Sequence, residues 1–153
     1  MFIQNVCCAL DEANVSYVIV GGYAVALHGV IRGTVDVDIA IQWSLENLQC
    51  AEKALRGIGL VSLIPITAET LFQCRDEYIQ SRNLIAWNFY DPSNPINQVD
   101  IVINYDLKEA HHTKRVKTSL GIIPILALNE LIKMKEASGR SQDLADVKAL
   151  KNL

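Results

Sequence analysis

No apolar run in this chain of 153 residues approaches the roughly 20 needed to cross a bilayer. Nor does the amino-terminal stretch MFIQNVCCALDEANVSY have the basic start of a secretory leader; its pattern is acidic and helix-like. These absences predict a cytoplasmic chain with no membrane contact. The four cysteines, Cys7, Cys8, Cys50 and Cys74, include no C-x-x-C pair, which argues against a zinc site or a disulfide framework and for buried free thiols. Basic charge is not in excess either. A net charge of -3 and a pI near 5.6 leave no whole-domain footprint for nucleic acid, so any polyanion has to be held by a local patch. No repeat, low-complexity tract or linker divides the sequence, and half of its residues are hydrophobic, enough for one domain spanning residues 1–153 to bury a core.

The apolar periodicity gives the elements. Phe2, Val6, Ala9, Leu10 and Ala13 recur at helical spacing over residues 2–13. SYVIVGG reads as a short buried strand ending at Gly21 and Gly22, and YAVALHG as a helix stopped by Gly29. TVDVDIAIQW alternates strictly, with Val35, Val37, Ile39 and Ile41 on one face and Asp36, Asp38 and Ala40 on the other. Ser44 opens a helix that runs to the glycines at 57 and 59. LVSLI reads as a strand, TAETLFQCRDE as a short helix or turn, NLIAWNFYD and QVDIVINY as strands of a hairpin joined by the turn PSNPIN. One or two short strands are expected around Leu120 and Gly121, then a helix ending near Gly139 and a last helix capped by Ser141. This order predicts an α/β (α+β) fold, a mixed sheet packed against helices on at least one face.

Paired carboxylates inside an apolar strand need a reason. Asp36 and Asp38, two apart on a strand, share a face with Cα atoms roughly 6.5 Å apart. Two like charges held that close resist desolvation, and a divalent cation removes the conflict; hard oxygen ligands suit Mg²⁺ or Mn²⁺. Asp100 in QVDIVI repeats the pattern, and a third carboxylate, once placed on a neighbouring strand, would complete a two-metal site of the kind that holds the attacking and leaving oxygens in phosphoryl transfer. Gly21 and Gly22, at a strand-to-helix turn, permit close approach of a phosphate.

Gly21-Gly22, thirteen residues, then Asp36-Val37-Asp38-Ile39, with Asp100 downstream, resembles the signature of the nucleotidyltransferase superfamily related to DNA polymerase β. More narrowly, GGYAVALHG with RGTVDVDI and the ending LIKMKEASGRSQDLADVKAL resembles the small bacterial nucleotidyltransferases of toxin–antitoxin and abortive-infection systems. The resemblance implies a minimal nucleotidyltransferase fold. It implies that Asp36 and Asp38 hold the metals that carry a nucleoside triphosphate, that Asp100 binds the catalytic metal and helps deprotonate an acceptor hydroxyl, and that Gly21 and Gly22 cradle the β and γ phosphates. Arg32, Thr34, Lys133, Lys135 and Arg140, with Asp143, match segments that lie near the nucleotide. At Gly22 the chain departs from many members, which carry a serine whose hydroxyl bonds the triphosphate.

The expected function is therefore Mg²⁺- or Mn²⁺-dependent transfer of a nucleotide from a nucleoside triphosphate to a hydroxyl of RNA, such as tRNA, or of protein, with pyrophosphate release; a partner protein is also possible. Two rivals share the carboxylates: an inactive nucleotide-binding or antitoxin-type module of the same fold, and a metal-dependent nuclease. KEAHHTKRVK concentrates Lys108, Lys114, Arg115 and Lys117 around His111 and His112, and reads first as a solvated edge strand. His28 reads as facing the nucleotide or as a packed helix-terminal histidine. Lys135 and Arg140, with Asp143 and Asp146, also fit an ion-pair network between the last two helices.

Overall fold

A computed structural model describes residues 1–108, 112–119 and 121–153. The chain runs α1 (Phe2–Glu12), β1 (Tyr17–Val20), α2 (Gly21–Leu27), β2 (Val37–Ile41), α3 (Leu45–Gly57), β3 (Val61–Ser62), α4 (Ala68–Gln73), α5 (Arg75–Arg82), β4 (Ala86–Asp91), β5 (Asn94–Val102), β6 (Thr113–Thr118), β7 (Gly121–Leu126), α6 (Leu128–Ser138) and α7 (Ser141–Lys151). The strands form one mixed sheet in the order β3-β4-β5-β2-β1-β7-β6. Its centre joins β1 to β2 antiparallel, β2 to β5 parallel and β1 to β7 parallel.

Every residue of β1 is buried, so helices cover both faces of the central strands. The alternation in β2 accordingly does not separate core from solvent: Ala40, on the aspartate side, is fully buried, whereas Val35 lies outside the strand and is exposed. α2 packs on β1, β2 and β7, α1 packs on α3, and α6 pairs with α7. Ser44 caps α3, its Oγ accepting from Asn47 N. α7 starts differently from expectation: Ser141 is already its first helical residue, and the Asp143 carboxylate reaches back to accept from Arg140 N at 3.2 Å.

Other expectations shift in detail. TAETLFQCRDE forms two helices, α4 and the start of α5. The turn PSNPIN shrinks to Pro92 and Ser93, because Asp91 accepts from both Ser93 N and Ser93 Oγ and closes the reversal early. Leu120 and His111 lie outside the described residues. All four cysteines are free, but only Cys7 is buried; Cys8 is exposed, one step off the stripe of Ile3, Val6, Cys7 and Leu10 that α1 turns to the core. Among the described residues, no helix is long and apolar enough to cross a membrane.

Candidate active site

Strand pairing assembles the site. β1 ends at Val20, opposite Asp38 on β2, and Asp38 in turn stands opposite Asp100 on β5. Residues paired directly across adjacent strands point to one face, with backbones about 4.8 Å apart. Asp38 and Asp100 therefore face each other as a consequence of register. Asp36, one residue before β2, joins them in lining a cleft of about 410 Å³, whose other walls include Gly21, Val102, Met134, Lys135 and Arg140.

The electrostatics are those of crowded like charges. Burial, then the charges of Asp100 and Asp36, push the Asp38 carboxyl up to about 7, with Lys135 opposing. Asp36 is also raised, by burial and then by Asp100. Among the described residues no three His, Cys, Asp or Glu side chains form a ready-made cation cage. The donor set still fits Mg²⁺ or Mn²⁺, because Mg²⁺ takes one or two protein carboxylates and completes its shell with substrate phosphate and water. A cation would also offset the burial and the repulsion that together lift Asp38.

Gly21 makes the approach to this pair possible. Its φ is +65°, and a Cβ there would fall 2.0 Å from Asp38 Oδ2. Gly22 is buried for a different reason: a Cβ would meet Thr34 Oγ1 at 2.6 Å, Thr34 Cβ at 2.9 Å and Arg32 Nη1 at 3.0 Å. Thr34 thus occupies the space that a serine side chain at position 22 would need. Gly22→Ser is expected to destabilise the fold by about 1–3 kcal/mol through overpacking, and adding Thr34→Gly to recover part of that loss. Melting temperatures of the two singles and the double decide it; a Gly22→Ser protein as stable as the parent would refute the crowding.

Arg32, Lys135 and Arg140 belong to one ion network. Asp146 accepts from Arg32 Nε at 2.8 Å, Lys135 Nζ at 2.8 Å and Gln142 Nε2 at 3.0 Å; Asp143 accepts from Arg140 Nε at 2.8 Å and lies 3.4 Å from Lys135 Nζ. Burial pushes both carboxyls up, but the hydrogen bonds and charges of their cationic partners outweigh it, so both sit below the usual carboxylate range. Lys135 and Arg140 reach the cleft, Lys135 buried and Arg140 with an exposed side chain. Lys133 does not line it: on the outer side of α6 its side chain is 73% exposed and pairs with Glu130 at 3.6 Å. His28 is packed, its Nε2 within 2.8 Å of Leu126 O, and burial lowers its pKa. His112 pairs with Glu130 at 3.4 Å. Asn104 and Tyr105 also line the cleft and Asn88 bonds to Asp100, although no motif in the sequence marks them. Asn88 has one signal, an amide between Trp87 and Phe89 in the run AWNFY.

No protein-family model and no curated protein sequence matches the chain. Solved structures do. The chain superposes on the lincosamide antibiotic adenylyltransferase LnuA, in a lincomycin-bound structure, with a TM-score of 0.64 at 14% identity, covering 98% of this chain and 94% of that one. This is the nucleotidyltransferase fold. A candidate nucleotidyltransferase from Thermotoga maritima shares it at TM-score 0.62 and 14% identity, over 98% of this chain and 90% of that one. So does ANT(2")-Ia in complex with adenylyl-2"-tobramycin, at TM-score 0.64 and 12% identity, over 97% and 84%. The minimal nucleotidyltransferase fold expected from the Gly-Gly and Asp-x-Asp segments is the one observed.

Proposed function

We propose that the chain is a metal-dependent nucleotidyltransferase that moves a nucleotide from a nucleoside triphosphate to an acceptor hydroxyl and releases pyrophosphate. The observation that carries this is the register pairing of Asp38 with Asp100 in a cleft that also holds Asp36. In this reading Asp36, Asp38 and Asp100 hold Mg²⁺ or Mn²⁺, which when bound neutralises triphosphate charge and stabilises the leaving group. Asp100 orients the acceptor hydroxyl and takes its proton as the oxygen attacks the α-phosphorus; the bond to the bridging oxygen breaks and pyrophosphate departs. Lys135 is a fixed positive charge beside Asp38, and Arg140, exposed at the cleft, offers its guanidinium to phosphate. Gly21 keeps the backbone close to Asp38 so that no side chain blocks the triphosphate.

The acceptor is read as a hydroxyl of RNA or protein, in keeping with the likeness of GGYAVALHG and RGTVDVDI to toxin-type enzymes, which also favours a partner protein. A small-molecule acceptor is the second reading, favoured by the near-complete overlap with LnuA, a protein of similar extent solved with lincomycin bound. Incubation with each α-labelled nucleoside triphosphate, Mg²⁺ or Mn²⁺, and in turn tRNA, a cell lysate, and small hydroxylated compounds, separates these. The expected result is label on one acceptor class, lost in Asp100→Asn. Metal-dependent nucleotide binding without transfer points to the inactive module, and nucleic-acid cleavage without nucleotide to the nuclease.

A further inference from the structure

The sheet face that carries Asp100 also carries Asn88 and Gln98. Asn88 stands directly opposite Asp100 in the antiparallel β4–β5 register. Its Nδ2 donates to Asp100 Oδ1 at 2.8 Å and to Gln98 Oε1 at 3.0 Å, and Gln98 Nε2 donates to Pro95 O at 3.0 Å. A primary amide has two N–H donors, and both are used here, so the amide has one orientation in which all of these contacts exist. Its backbone is pinned as well: the neighbouring Trp87 and Phe89 are fully buried and packed ring against ring, with centroids 4.6 Å apart.

We propose that Asn88 is a positioning residue for Asp100. By holding Oδ1 it sets the carboxylate plane, and so presents the other oxygen to the cation and the acceptor hydroxyl instead of letting the group turn along the strand. A charge-assisted hydrogen bond of this length resists that rotation more than a neutral one does. Gln98 acts one step further out, orienting Asn88 and not Asp100. This inference rests on the transferase reading of the cleft. Groups that orient metal ligands in this way typically account for 10- to 100-fold in metal affinity or activity.

The test compares the full chain with Asn88→Ala, the near-isosteric Asn88→Leu, which has no donor, and Gln98→Ala. Mn²⁺ affinity is read from the free-ion electron paramagnetic resonance signal, folding from melting without metal, and transfer from kcat and KM. The expected result is an Asn88 variant that melts as a folded protein, binds Mn²⁺ about 10- to 100-fold more weakly and loses kcat by a similar factor, with KM for the nucleotide within about twofold. Gln98→Ala is expected to stay within about threefold on all readouts, since the Asn88–Asp100 bond survives it. A folded Asn88→Ala or Asn88→Leu protein with parental Mn²⁺ affinity and kcat would overturn the inference while leaving the transferase reading in place. A parent protein that binds no Mn²⁺, with or without nucleotide, would overturn both.

Discussion

Asp38→Asn is expected to abolish nucleotide transfer and, in cation-free buffer at pH 8, to make the protein more stable than its parent. The loss of transfer follows from removing a cation ligand. A bound cation contributes several kcal/mol of charge stabilisation, so roughly 10³-fold or more in rate is at stake. Asp100→Asn is expected to match it. The gain in stability has the sign of a raised acid. Asp38 titrates at an ordinary 3.8 in the unfolded chain and is pushed up to about 7 by burial and by Asp100 and Asp36. Between those values the folded protein holds a proton that the unfolded chain has released. Stability therefore declines as pH rises from about 4 to about 7 and levels off above it. Asp36 shifts in the same direction. Asn carries no charge to desolvate, so the variant lacks this decline, and the gap between variant and parent widens across that window. Adding Mg²⁺ or Mn²⁺ at pH 8 is expected to raise the parent's melting temperature and to leave the variant's nearly unchanged. Parallel melting curves at pH 5 and pH 8, with no divergence between the two proteins, would show that the crowding of Asp36, Asp38 and Asp100 has little effect on folding.

The carboxylate pair was legible because it violates the pattern around it: a strand as apolar as VDIAI does not carry acids without compensation. Period-two spacing could place Asp36 and Asp38 on one side. It could not place Asp100 there, since the pairing of β2 with β5 joins residues more than sixty positions apart and depends on a sheet order that local pattern does not encode. The resemblance supplied that link. Gly22 shows the reverse case. Read along the chain, it is a missing serine; in the structure it is a packing requirement, because Thr34 fills the space beside it. Lys133 and Lys135, two apart on α6, show why motif matching is coarser than geometry. A step of two on a helix turns about 200°, so the motif's two lysines go to opposite sides, Lys135 inward to Asp143 and Asp146 and Lys133 outward to solvent. Asn88 was hidden because a single amide in a strand becomes meaningful only when its cross-strand partner is known.

Asp146→Ala is expected to destabilise the protein by about 3 kcal/mol or more at pH 7, lowering its melting temperature by roughly 10 °C for a domain of this size. Asp146 is 2% exposed and is the common acceptor of Arg32, Lys135 and Gln142. Its removal leaves the buried Lys135 ammonium with Asp143, at 3.4 Å, as its remaining ion-pair partner among the described residues, and frees Arg32 from the carboxylate that anchors it beside Gly22. Breaking one partner of a buried charge pair costs more than the pair's net worth, because the remaining charge stays desolvated. The same change reaches the cleft: Lys135 lines it beside Asp38, and Arg32 and Thr34 close the space against the first turn of α2. Transfer by the folded fraction is therefore expected to fall along with stability. Asp146 sits below the usual carboxylate range, so its contribution is fully present above about 4 and is lost as pH falls through its folded value. The difference between parent and variant should therefore shrink in acid, as the Asp38 difference does, but here the parent and not the variant is the more stable protein. Lys133→Ala, at an exposed position on the same helix, is the control and is expected to stay within about 0.5 kcal/mol of the parent. Urea titrations of the three proteins at pH 7 and pH 3.5 measure both claims. An Asp146→Ala protein within about 1 kcal/mol of the parent at pH 7 would mean that Asp143 alone suffices to hold Lys135.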